Sequence, residues 1–203
     1  MRVNGRGWQK EQQTFFGELR RHQAAGRVLN ALQSPQDRAI GPRRAKKAVA
    51  CLLWMGGVPI NSIEGLLTRH LPVTDAAGPA RAVASRTRDV IGTVVDIARL
   101  IHPNAELDEL TRLLPVQLEL GIPAEMVSLA LHAGAELGRQ DYLMLHSQGL
   151  SDPAAILAAD DERLLSCVGA NRDLLRTLRR AASDALKSES TPDFASVLPV
   201  SVD

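Results

Sequence analysis

"ARAVASRTRDVIGTVVDIARLIH", residues 80–102, decides the fold. Val83, Thr87, Val90, Ile91, Val94, Ile97, Ala98 and Ile101 recur at intervals of three and four residues. That is the period of an α-helix with one apolar face, and the run is far longer than an ordinary strand. Pro103 stops it, and "PVTDAAGP" (72–79) forms the loop before it.

Working outward toward the N-terminus, Pro59 opens a short helix that runs through His70. A helix over 42–55 starts with Pro42 in its first turn and carries Arg43, Arg44, Lys46 and Lys47 ahead of the apolar run ACLLWM. "GGVP" (56–59) ends that helix, and "SPQDRAIGP" (34–42) is the loop before it. Trp8, Phe15, Phe16 and Leu19 share helical spacing, so 8–24 reads as a helix broken near Gly26, with Val28–Leu32 as a second piece.

Toward the C-terminus, a helix covers about 105–120, with Pro115 expected to kink or break it and Gly121 to stop it. Pro123 opens a helix over 123–133. Another covers 139–148, and Gly149 takes the left-handed turn after it. Asp152 with Pro153, then Asp160, then Asn171, mark the starts of three further helices, the last reaching about Lys187. Residues 188–203 are polar and proline-punctuated, a mobile tail. No segment has the alternation of a strand.

Hydrophobic residues make up 45% of the 203 positions and charged residues 23%, the balance of a globular chain. Aromatics are only 3%, so the core is built from Leu, Val, Ile and Ala, which favours an all-α fold. Net charge is +1, so nucleic acid, if bound, meets a local row of arginines and not a global basic field. Cys51 and Cys167 lie in apolar contexts without CxxC spacing and read as buried, reduced thiols. No signal peptide and no long apolar run is found, so the expected location is cytoplasmic, with no membrane partner.

Catalytic motifs are missing. There is no GxxxxGK[ST], no HExxH and no Cys/His cluster at metal spacing. The carboxylates of "ADDERLL" (159–165) sit in a first helical turn, where they satisfy amides. The chain alone does not read as an enzyme. Two features point to binding. On the 80–102 helix, Arg81, Ser85, Arg88, Gly92 and Arg99 are separated by nearly whole turns and form one stripe, which is either a solvated face or a track for phosphates. The turn "HAGAELGR" (132–139) joins two helices and ends in Gly138 and Arg139, where free amides and a guanidinium can meet a phosphate; Glu136 favours the plain hairpin instead, because a carboxylate repels phosphate. A second helix–Gly169–helix unit follows, with Arg172, Arg176, Arg179 and Arg180 on its second helix.

Taken in order, "LLWMGGVPINSIEGLL" (52–67), "GPARAVASRTRDVIGTVVDIARLI" (78–101), "LPVQLELGIPAEMVSLA" (114–130) and "LGRQDYLMLHSQGL" (137–150) resemble the C-terminal region of superfamily-two nucleic-acid helicases of the DNA-repair and Ski-like type. In that family a helical ratchet domain and a helix-hairpin-helix domain follow the motor. The resemblance spans about residues 45–182. It departs at the hairpin glycines, where Glu136 and Cys167 stand, and in the long helix, which lacks a base-stacking aromatic.

The chain is expected to be all-α and divided into an N-terminal helix and linker (1–41), a helical bundle (42–120), a compact hairpin unit (121–187) and a tail (188–203), the bundle being ratchet-like and the hairpin unit of helix-hairpin-helix type as the resemblance implies. The resemblance implies DNA or RNA binding in support of unwinding, with Arg81, Ser85, Arg88, Arg99, Gly138, Arg139 and Arg172 holding the backbone of a single strand. No cofactor is expected in this chain; ATP and Mg belong to helicase motor domains in the same or another chain. The alternative is a protein-interaction module that keeps the fold and docks on a separate motor protein.

Overall fold

The computed structural model describes residues 8–33, 40–69 and 79–190, and all regular structure among them is helical. The expected loops at 34–42 and 72–79 fall largely outside the described residues, as do residues 1–7, His70 and the tail beyond residue 190. The chain divides into two compact units after Ala124.

The first unit holds α1 (Trp8–Arg21), α2 (Gly26–Gln33), α3 (Ile40–Met55), α4 (Ile60–Thr68), α5 (Pro79–Ile101) and α6 (Asp108–Leu120). α3 is its centre and touches all five others. Small residues on α3 make this possible: Ala45, Val49 and Ala50 are fully buried, so neighbouring helices approach closely. Phe15, Phe16, Trp54, Ile63 and Leu118 close the core around them, so the N-terminal helix is part of the bundle and shares its core. The Trp54 indole N–H donates to the Leu118 carbonyl at 2.9 Å, tying α3 to α6. At the α2–α3 approach, a Cβ on Gly41 would stand 2.7 Å from the Leu32 carbonyl oxygen, so only glycine fits there.

One ion pair lies inside this unit. Lys46 Nζ stands 3.4 Å from Glu11 Oε1 and 5.4 Å from the centre of the Phe15 ring, with both charged side chains almost wholly buried. Burial pushes the Lys46 ammonium below its usual range, against the pull of Glu11.

Three local expectations are corrected. The first break falls at Gln23, whose φ of 57° lets Ala24 N–H reach back to the Leu19 carbonyl, while Gly26 opens α2. Pro115 lies inside α6 without breaking it, because Leu114 and Leu118 on either side are held by the core. The C-terminal helix runs on to Ser190. Gly121 ends α6 in the left-handed conformation, as its position predicts.

The second unit is introduced by a 3-10 turn, Ala124–Met126, and holds α7 (Val127–Ala133), a second 3-10 turn (Gly134–Glu136), α8 (Arg139–Ser147), α9 (Pro153–Ala158), α10 (Asp161–Cys167) and α11 (Arg172–Ser190). α11 is the spine against which α7, α9 and α10 pack. Tyr142, Leu145, Ile156, Leu164 and, on α11 itself, Leu178 are fully buried in this unit. The caps follow the sequence. Asp152 accepts from Ala154 N–H, Asp160 from Arg163 N–H, and Asn171 from Asp173 N–H. Gly149 and Gly169 take positive φ, and so does Ala170, which no sequence signal marks. Both cysteines are free and buried. No single helix among the described residues is long and apolar enough to cross a membrane.

Candidate nucleic-acid interface

α5 rises about 1.5 Å per residue, so Arg81, Arg88 and Arg99 are spread along some five turns of one helix line. Each already has a neighbour. The Arg81 guanidinium lies 5.8 Å from the centre of the Trp54 ring. Arg88 is ion-paired to Asp89 at 2.8 Å and to Glu119 of α6. Arg99 reaches Asp108, at the start of α6, at 2.7 Å and Asp96 at 3.9 Å. Ser85 is half-buried between them. Two of the three guanidinium groups therefore already face carboxylates, four in all. Exposed pairs of this kind are worth about 0.2–1 kcal/mol each, so a phosphate can displace them, but the displaced carboxylates stay beside it and repel it.

The hairpin is occupied in a similar way. Gly138 is the N-cap of α8, and its N–H donates to the Asp141 carboxylate at 2.8 Å. This amide, which the sequence offers to a phosphate, is satisfied by the chain's own anion. Arg139 opens α8 half-buried, and Arg172 opens α11 exposed. Glu136 accepts from the Thr177 hydroxyl and from Arg180 at 2.9 Å. These contacts, Thr177 first, hold its carboxyl below the usual carboxylate range. The turn is thereby fastened to α11. Arg179 is committed too. It donates to the carbonyls of Ile156, Leu157 and Ala159 at the end of α9 and to Asp161 at 2.6 Å, satisfying groups that a helix terminus leaves open. Tyr142 lies beneath the hairpin, and its hydroxyl is pushed up to about 12 by burial, with the Asp141 charge adding to the effect.

The structure also exposes what the sequence assigns to the core. None of the apolar series on α5 is fully buried: Val83, Thr87, Ile91 and Ala98 are half-buried, and the helix buries Ala80, Ala84 and Val95 instead. Val90, Val94, Ile97 and Ile101 are 52%, 53%, 50% and 65% exposed. On a helical wheel the apolar band of α5 is wider than the bundle that covers it, and this edge is left bare. Leu100, and Leu110 on α6, are exposed as well. An open cleft beside α1 is lined by Gln9, Gln12, Gln13, Arg20 and Gln33, whose amides and guanidinium can hydrogen-bond, with Phe16 as its apolar wall. Among the described residues no three His, Cys, Asp or Glu side chains gather in a way that could hold a metal.

Comparison with protein-family models, curated proteins and solved structures finds no match.

Proposed function

We propose that this chain is a protein-docking module that offers the bare edge of α5 to an amphipathic helix of a partner protein. The partner class suggested by the resemblance is an ATP-driven motor of helicase type. One observation carries the reading: Val90, Val94, Ile97 and Ile101 stand exposed at the 4-3-4 spacing of paired helices. A wet strip of branched apolar side chains is costly to keep, and covering it with a matching helix recovers about 25 cal/mol per Å² of apolar surface.

The test replaces Val94 with a photo-crosslinking amino acid in cells and identifies the attached peptide. Attachment to an amphipathic helix of an ATPase, lost when Ile97→Asp is added, supports the reading. Attachment to a second copy of this chain, or to nothing, removes it.

A second reading, a grip on the backbone of single-stranded DNA or RNA, is favoured by the alignment of Arg81, Arg88 and Arg99 on one helix line. It requires phosphates to compete with Asp89, Glu119 and Asp108 for those arginines. A gel shift that weakens with salt and drops for Arg88→Glu supports it, and binding unchanged by Arg88→Glu removes it.

A further inference from the structure

α3 carries four cations, Arg43, Arg44, Lys46 and Lys47, and no carboxylate. Lys46 turns inward to Glu11, while the other three are exposed. Between described residues, no side-chain hydrogen bond or ion pair engages Arg43, Arg44 or Lys47. In this they differ from Arg88, Arg99, Arg176, Arg179 and Arg180, each of which has a carboxylate.

Their position is also unfavourable for the helix. α6, α10 and α11 open on acids, Asp108 and Glu109, Asp161 and Glu162, and Asp173, as the positive pole of a helix prefers. α3 places three solvated cations in its first two turns instead. They are repelled by the helix dipole and by one another, so they do not stabilise this fold. A local rule broken without compensation among the described residues marks a group kept for something else.

Arg43 and Lys47 are one turn apart, a rise of about 6 Å, with Arg44 beside them. That separation is of the order of the distance between neighbouring phosphates on a strand, and both guanidinium groups can fork onto phosphate oxygens. The surroundings narrow the choice of partner. No large exposed apolar side chain lies on α3. The face therefore lacks the apolar body with which a helix enters a membrane surface and the anchors on which protein interfaces depend. Charge alone is effective toward a dense polyanion, whose condensed counterions are released on contact.

We infer that the Arg43, Arg44 and Lys47 face of α3 binds the phosphate backbone of a nucleic acid without reading its bases. This surface is separate from the bare edge of α5, and it stands or falls independently of the docking reading and of the α5 arginines.

The experiment follows fluorescence anisotropy of a labelled oligothymidylate, and of a labelled duplex of equal length, with the full chain. Binding should weaken between about 50 and 200 mM salt, with a log–log slope of about −2 for the single strand. Arg43→Gln/Arg44→Gln/Lys47→Gln should lose affinity on the order of tenfold and flatten the slope toward zero. Helical content and thermal midpoint of the α3 variant should be unchanged or raised, since repulsion is relieved; if that variant does not fold, Arg44→Gln alone must shift affinity in the same direction. The comparison of single strand and duplex identifies which form supplies the phosphates. The inference is overturned if the wild-type chain binds neither probe at low salt. Neutral substitution of α3 without loss of binding also overturns it, as does polyglutamate or a phosphatidylserine vesicle displacing the probe as well as unlabelled oligonucleotide.

Discussion

Lys46 is an ammonium with a carboxylate 3.4 Å away and almost no water around either group. Removing two charges from water is costly, and their attraction offsets that cost only while both remain. Lys46→Met should therefore destabilise the chain by about 3–5 kcal/mol, by taking the counter-charge from a buried Glu11, whereas Glu11→Leu/Lys46→Met together should be near neutral or stabilising. Urea denaturation of the two single variants and the double closes this cycle. A second residue gives a pH dependence. The Glu136 carboxyl is held below its ordinary value by Thr177 and Arg180, so its contribution is fully present above the unfolded value near 4.5 and fades as pH falls through the folded value. Acid melts of wild type and Glu136→Gln should separate above that range and converge below it. Neither residue's role is legible in the sequence. Glu11 and Lys46 are 35 positions apart, beyond the reach of any local pattern, and Glu136 reads as a carboxylate that repels phosphate until Thr177 and Arg180 are seen beside it.

Elements were easier to read than their surroundings. The caps at Asp152, Asp160 and Asn171 and the stops at Gly121 and Gly149 are local chemistry, and each stands where its residue type requires. The apolar series on α5 was equally plain. Periodicity says which positions are apolar, not whether a neighbour arrives to cover them, and so the bare edge stayed hidden. The same limit hid the partners of the α5 arginines, because Glu119 and Asp108 belong to another helix. Two glycines test the helix environments with opposite signs. Gly41→Ala drives a methyl group against the Leu32 carbonyl and should cost about 1–3 kcal/mol. Gly92→Ala meets nothing within 4 Å on α5 and should stabilise by about 0.5–1 kcal/mol. Thermal midpoints of the two variants, read by far-ultraviolet dichroism, should move apart from the wild type.

The division after Ala124 gives each part of the molecule its own core and its own optical label. Trp8 and Trp54 are the only tryptophans and lie in the first unit; Tyr142 is the only tyrosine and lies in the second. Tyr142 should ionise near about 12 instead of about 10, and phenolate absorbance appearing at the ordinary value would mean that the second core has opened. In urea, Lys46→Met should move the indole fluorescence transition further than the Tyr142 transition, because it damages the first core alone. The all-α architecture was legible from composition and period, but the place of the N-terminal helix was not, since its contacts depend on Phe15 and Phe16 meeting α3 from a distance in sequence. The strip Val90–Val94–Ile97–Ile101 also bears on the chain's life in a cell. Quality-control proteases and holding chaperones survey proteins for apolar segments left wet, so copies made in excess of whatever covers α5 would be cleared first. Steady-state abundance would then follow supply of the occupant more closely than the chain's own rate of synthesis.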